Sequence, residues 1–267
     1  MDSFRTFVDL NGDFHIVCNY RHIDSADALV FIHGFGSAKE HFRHAFNTPS
    51  LRRFSIVAID LVGFGESRGP ANFGYTMEDQ ARAMLEVLSE LKIGSFHLCA
   101  HSMGGLVAMK MAELEPERIR SLIDIEGNLT MEDCTLSGKV AEFKPEEFDD
   151  ERRRRFEEEL RKANLTDPSF IEYLETFRRA STMALLKSAT HTVAESSTPL
   201  VDRLARIKNS CYIYGEKNKG LFPGEKLLQE RRVPIFYVRD AGHAMATDNP
   251  EELYRIISSF IEAIRHS

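Results

Sequence analysis

The chain has 267 residues, 43% of them apolar and 28% charged, with a formal net charge of −7. That length suits one large domain, or a core carrying an inserted sub-domain, and it buries enough surface to fold without disulfide staples. The acidic balance speaks against nucleic acid or an anionic membrane as partner, because both attract basic surfaces.

Residues 1–11 carry acids and no long apolar run, so no secretory leader is expected there. No stretch approaches the roughly 20 apolar residues of a membrane helix, and a cytoplasmic protein is expected. Residues 14–20 alternate in the manner of a strand. Residues 28–32 form a continuous apolar run ending at His33-Gly34, and 54–61 form another that ends in a glycine-rich turn. A helical period runs over 77–91. A strand over 96–100 and a helix over 104–114 follow. Further strands are expected at 122–125, 211–214 and 235–238. A closing helix over 251–264 follows Pro250 and opens with acidic residues, as the helix dipole favours. Continuous apolar strands alternating with helices indicate an α/β architecture, a mostly parallel sheet covered on both faces.

The alternation breaks over about 129–206, which is charged, helical in pattern and without a convincing strand. This segment is expected to be an inserted helical cap, with 1–128 and 207–267 as the core. Leaving the sheet after 122–125, it emerges at the carboxyl edge, where open α/β sheets bind ligands. The basic run at 152–155 lies among Glu and Asp and reads as a solvated helix face. Cys18, Cys99, Cys134 and Cys211 form no CxxC pair and no zinc-like cluster. They read as free, buried thiols of a reducing compartment. No cofactor and no metal are expected.

The chemical signal is Ala100-His101-Ser102-Met103-Gly104-Gly105, set between an apolar strand and a helix rich in Ala and Met. A serine on so sharp a strand-to-helix turn is held in a strained backbone conformation with its hydroxyl exposed. The positions two before and two after it must be small, and Ala100 and Gly104 are. Three other motifs surround it in order: His33-Gly34-Phe35-Gly36, then Asp60-Leu61-Val62-Gly63-Phe64-Gly65-Glu66-Ser67, then Ala241-Gly242-His243. Together they resemble the α/β-hydrolase superfamily, over nearly the whole chain apart from the cap. The resemblance implies the α/β-hydrolase fold, Ser102 as nucleophile, His243 as base, and the backbone N–H groups of Phe35 and Met103 as oxyanion hole. His33, His101 and Asp60 are expected to shape their own loops.

The base needs an acid to fix its tautomer. The family's commonest place for it reads Gly215-Glu216-Lys217-Asn218 here, with an uncharged Asn at the expected position. Some branches, including haloalkane dehalogenases, carry the acid one strand earlier. That loop reads Asp124-Ile125-Glu126-Gly127-Asn128. Glu126 follows Ser102 by 126 − 102 = 24 residues, just past the strand, whereas Asp124 falls inside it. Glu126 is therefore the expected acid, with Glu216 and Asp240 as alternatives.

A serine nucleophile points to acyl transfer. The leading expectation is a serine hydrolase cleaving a carboxylic ester of small or medium acyl size through an acyl-enzyme, with Phe35 and Met103 lining an apolar pocket. A thioesterase, a lactonase or a C–C bond hydrolase would share the triad. A non-catalytic ligand-binding signalling protein of the same fold is the alternative from another class, favoured by Asn218. A membrane-surface lipase would need an apolar cap. The stretch 144–162 is heavily charged, which leaves 183–186 as its apolar lip. The expected partner is a small-molecule ester, with neither nucleic acid nor membrane, and a homodimer is left open.

Overall fold

A computed structural model describes residues 4–10, 12–24, 27–164, 166–198 and 200–265. Eight strands build one sheet: β1 (Phe4–Leu10), β2 (Phe14–Arg21), β3 (Ala28–Ile32), β4 (Ser55–Ile59), β5 (Phe96–His101), β6 (Ile119–Ile125), β7 (Ser210–Gly215) and β8 (Ile235–Val238). Their spatial order is β1-β2-β4-β3-β5-β6-β7-β8. β2 runs antiparallel to both β1 and β4, and β3 to β8 are mutually parallel. Every residue of β3, β4 and β5 is buried, which is why their sequences are mostly apolar rather than alternating, with His97 and His101 the buried polar residues of β5.

The two faces are covered by different helices. On one, α1 (Met77–Glu90) and α2 (Met103–Leu114) pack their apolar sides against the sheet. α1 starts where Thr76 and Asp79 form a reciprocal capping box. On the other face, α10 (Pro250–Arg265) buries Leu253, Ile257 and Ile261 at helical spacing against Phe31 and Phe42.

Strand order reverses around β3, with β4 on one side and β5 on the other. This switch point places the loop after β3 beside the loop after β5, at the carboxyl edge of the sheet. The motifs at His33 and at Ser102 therefore become neighbours.

Between β6 and β7 the chain forms α3 (Thr135–Ala141), α4 (Asp150–Ala163), α5 (Pro168–Phe177), α6 (Thr182–Ser196) and α7 (Leu200–Arg206), with no strand among the described residues. The starts are written in the sequence. Asp149, Asp167 and Ser181 each accept a backbone N–H of the first turn, and Pro168 follows Asp167 as the first helical residue. α4 buries only Phe156, Glu157 and Leu160, so its many charges lie on the outer face. Phe156 belongs to a ring cluster with Phe143, Phe148 and Phe177, and Phe177 stands edge-on to Phe35 at 6.3 Å. The phenylalanines thus run from the helical segment down to the loop after β3.

Three features were not expected from the sequence. β1 forms a hairpin with β2, and Gly12 in the connection sits at φ 76°, a conformation glycine adopts at no steric cost. β4 stops at Ile59 because the Asp60 side chain accepts the Lys39 N–H and turns the chain. Two short helices, α8 (Gly224–Glu230) and α9 (Met245–Asp248), flank β8. All four cysteines are free and buried. Cys18, Cys99 and Cys211 sit inside the sheet at 0% exposure, whereas Cys134 lies ahead of α3 at 7%. Among the described residues, no helix is long and apolar enough to cross a membrane.

Candidate active site

Ser102 sits between β5 and α2 at φ 54°, ψ −128°. This is the strained conformation the turn motif demands, and it is held from below. Ser102 N–H donates to the Ile125 carbonyl at 3.0 Å, tying the turn to the end of β6. A Cβ at Gly104 would come within 2.6 Å of the Ile32 carbonyl oxygen, so strand and helix meet there without room for a methyl group. A Cβ at Gly34 would lie 2.8 Å from the Ser102 Cβ, which places the loop after β3 directly against the serine.

His243 lies in the loop after β8, and its Nδ1 is 2.7 Å from Glu126 Oε2. Glu126 follows β6 at φ 43°, another left-handed residue, and only 4% of its side chain is exposed. Three further hydrogen bonds from two donors fix that carboxylate. Gly215 N–H reaches Oε1 at 2.7 Å, and Asn218 Nδ2 reaches Oε1 at 3.0 Å and Oε2 at 2.9 Å. The asparagine standing where an acid is commonest thus holds the acid that came from the neighbouring strand. Burial pulls the His243 pKa down, but the hydrogen bond and charge of Glu126 outweigh it and leave the imidazole above its ordinary value. The other two carboxylates considered do not join this arrangement. Glu216 Oε2 accepts the Asp240 N–H at 3.3 Å, and Asp240 itself is exposed.

The histidines of the other motifs are buried scaffolding. Leu61 N–H donates to His33 Nε2 at 3.0 Å, so the proton sits on Nδ1 and is donated to the Gly34 carbonyl at 2.8 Å. Ser37 N–H reaches the same carbonyl at 3.2 Å. In a trans peptide the N–H of Phe35 points opposite to that carbonyl. Met103 is the first residue of α2, where backbone N–H groups lack an intrahelical acceptor. His101 donates its Nε2 proton to the His243 carbonyl at 2.9 Å, and its ring lies 4.5 Å from those of both His41 and His243. Burial holds His101 well below its usual pKa and His41 at about 3, so both stay neutral beside His243. Asp60 accepts the N–H groups of Lys39 and Glu66 and the Lys39 ammonium, which ties down its own turn.

Ser102 and His243 open into one cavity of about 670 Å³. Its walls mix rings (Phe35, Phe170, Tyr173, Phe222) with polar groups, and α3 and α5 supply part of them. Phe35 lines it as expected. Met103 does not; its side chain is buried in the core. Met183 and Leu186 also lie elsewhere, in a separate depression beside Phe148, so they form no lip here.

Beneath the site lies Asp124, fully buried in β6, with neither oxygen in good hydrogen-bonding geometry. A Cβ at Gly105 would stand 2.5 Å from its Oδ1, so the carboxyl fills the space under the Ser102 turn. Burial and the charge of Asp133 raise its pKa well above the ordinary carboxylate range. The folded state then keeps a proton that the unfolded chain loses above about pH 4, and stability must fall as pH rises. Asp124→Asn removes that titration. Its melting temperature relative to the natural protein should climb between about pH 4 and pH 8. Thermal unfolding across this range checks it, and a difference that does not change with pH would refute a protonated Asp124.

The α/β hydrolase fold family model matches residues 27–223, and the chain belongs to that family. A probable lysophospholipase, BODYGUARD 4 of Arabidopsis thaliana, is 32% identical over 120 residues, 42% of this chain and 29% of that protein. The chain thus spans under a third of such relatives' length. Lipase 1 of Psychrobacter immobilis is 24% identical over 271 residues, covering 90% of this chain and 80% of that one. Among solved structures, a putative alpha/beta hydrolase from Nostoc sp PCC 7120 superposes with a TM-score of 0.81 at 21% identity, covering 97% and 98% of the two chains. An N-acyl homoserine lactonase, AidH, complexed with N-hexanoyl homoserine gives 0.78 at 18%, covering 98% of each. At these identities the structures show the fold.

Proposed function

We propose that the protein is a serine hydrolase that cleaves carboxylic esters of small or medium acyl size through an acyl-enzyme, with Ser102, His243 and Glu126 as its triad. The observation that carries this reading is the 2.7 Å contact of Glu126 with His243 Nδ1, on the cavity that also contains the strained Ser102. A carboxylate at Nδ1 keeps the proton there and leaves Nε2 as the basic nitrogen. His243 then takes the Ser102 hydroxyl proton as Oγ attacks the ester carbonyl carbon. The resulting oxyanion is received by the N–H groups of Phe35 and Met103. Collapse breaks the acyl–oxygen bond, and the leaving alkoxide takes the proton from His243. Water repeats the sequence on the acyl-enzyme, releasing the acid and restoring Ser102. The segment 129–206 serves as a cap over this cavity, between the core parts 1–128 and 207–267.

The reading as a non-catalytic binder drew on Asn218. Its two bonds to Glu126 give that residue a place in an intact site instead. A panel of p-nitrophenyl esters of increasing acyl length, run beside covalent labelling by a fluorophosphonate, tests the proposal. Turnover of at least one chain length with stoichiometric labelling on Ser102 is expected. Neither turnover nor labelling would refute it.

A further inference from the structure

The helix α5 touches both loops that frame the reaction. Ser169 Oγ donates to Asp248 Oδ1 at 2.5 Å, and Asp248 Oδ2 accepts the N–H of Gly242, the residue before His243. Four residues on, and so on the same helix face, Tyr173 donates its hydroxyl to the Phe35 carbonyl at 2.9 Å. Between them Glu172 pairs with Arg43. The Thr176 hydroxyl, bonded mainly to its own helix at 2.7 Å, also lies 3.2 Å from the Gly36 carbonyl.

The Tyr173 bond has a particular geometry. The peptide before Phe35 is held from the core, through the Gly34 carbonyl on His33 and Ser37. The peptide after Phe35 is held from the helical segment, through Tyr173. Phe35 is the hinge between these two peptides, and its N–H belongs to the first. The following residue, Gly36, has φ 68°, and a Cβ there would collide with the Tyr173 hydroxyl at 2.4 Å and with Phe177 at 2.5 Å. Only a glycine loop lets α5 come this close. Burial keeps the phenol protonated and able to donate, by pushing its pKa up.

We infer that Tyr173 is a positioning residue for the oxyanion hole: its hydroxyl fastens the Phe35 carbonyl to α5, so that Phe35, whose N–H lies on the peptide held from the core, is clamped from both sides and keeps its N–H aimed only while this helix is seated. This rests on Ser102 acting as nucleophile. Phe170 and Tyr173 both line the cavity, so an acyl chain that packs against α5 also settles the loop that receives the oxyanion. Binding remote from the reacting carbon is thereby turned into rate rather than affinity.

Tyr173→Phe tests it, because it removes one oxygen and leaves the ring. An aligned oxyanion donor is worth roughly 10²–10³ in rate when deleted outright, and a misaligned one should cost about tenfold. The expected results are a kcat about tenfold lower on a p-nitrophenyl ester, a KM within about twofold, and slower fluorophosphonate labelling of Ser102 in the same proportion. Affinity for an alkylboronic acid, which forms a tetrahedral adduct on the serine, should fall in step with kcat. Labelling rate and boronate affinity equal to those of the natural protein would overturn the inference, even if the melting temperature dropped. So would a raised KM at unchanged kcat, which would make Tyr173 a substrate contact. A natural protein that neither labels nor turns over would instead overturn the proposed function, and this inference with it.

Discussion

Ser102→Ala should abolish ester turnover and fluorophosphonate labelling together while leaving the fold unchanged. Loss of a triad serine costs about 10⁶ in kcat, with a remnant supplied by binding and the oxyanion hole. What holds the turn is the Ser102 backbone, through its N–H on Ile125 and its carbonyl on Gly105. Alanine keeps both bonds and adds no atom, so the melting temperature should move by no more than a degree or two. Intact mass after labelling and steady-state rates on the best p-nitrophenyl ester check the two halves. A variant that retains even 1% of the rate would exclude Ser102 as nucleophile.

Glu126→Gln should lower kcat by about 10⁴, the cost known for the Asp→Asn change in a serine-protease triad. The reason lies in the donors around Glu126. Gly215 and Asn218 both present N–H groups to Oε1, so the amide oxygen of Gln must take that side. Its NH₂ then faces His243 Nδ1, and also faces the Asn218 amide that now donates to Oε2. An NH₂ at Nδ1 asks for the imidazole with its proton on Nε2, which cannot accept one from Ser102. The pH profile carries a second signature. His243 must be neutral to act as base, so kcat/KM is lost as pH falls through its pKa. With Glu126 in place that pKa lies above the ordinary histidine value of about 6.5. In the Gln variant the acid limb should move to lower pH, because the carboxylate that favoured the imidazolium is gone while burial still opposes it. An acid limb that stays put would show that another carboxylate sets it.

The order of elements was legible in the sequence because the sheet is parallel and buried. Mostly apolar runs announce β3, β4 and β5, and the motifs at their ends fix which edge carries the chemistry. Glu126 was legible through a departure, since an uncharged Asn218 at the usual place sends the search to the neighbouring strand. The bond between these two was not legible. They lie 92 positions apart, and only the β6–β7 pairing brings them together. Tyr173 carried no signal either, because it is one aromatic among several in a charged helical stretch, and its partner is a backbone carbonyl that any residue could offer. Asp124 reads in sequence as an ordinary strand residue. Its meaning comes from two glycines, Gly105 and Gly127, that press against it from separate elements.

The placement of the cysteines makes the protein its own reporter of motion. Cys18, Cys99 and Cys211 are sealed in three strands of the sheet, while Cys134 lies outside it, just ahead of α3. All four thiols are buried, and burial also pushes them up in pKa, so a maleimide reacts with them readily only when the structure opens. If the helices open without the sheet, Cys134 should react alone and fast, with the other three following at the rate of global unfolding. A cavity filled by a boronic acid should slow the first of these clocks and leave the others running. Mass spectrometry of a labelling time course would then read opening around α3 and unfolding of the sheet separately, in one tube and without any engineered probe.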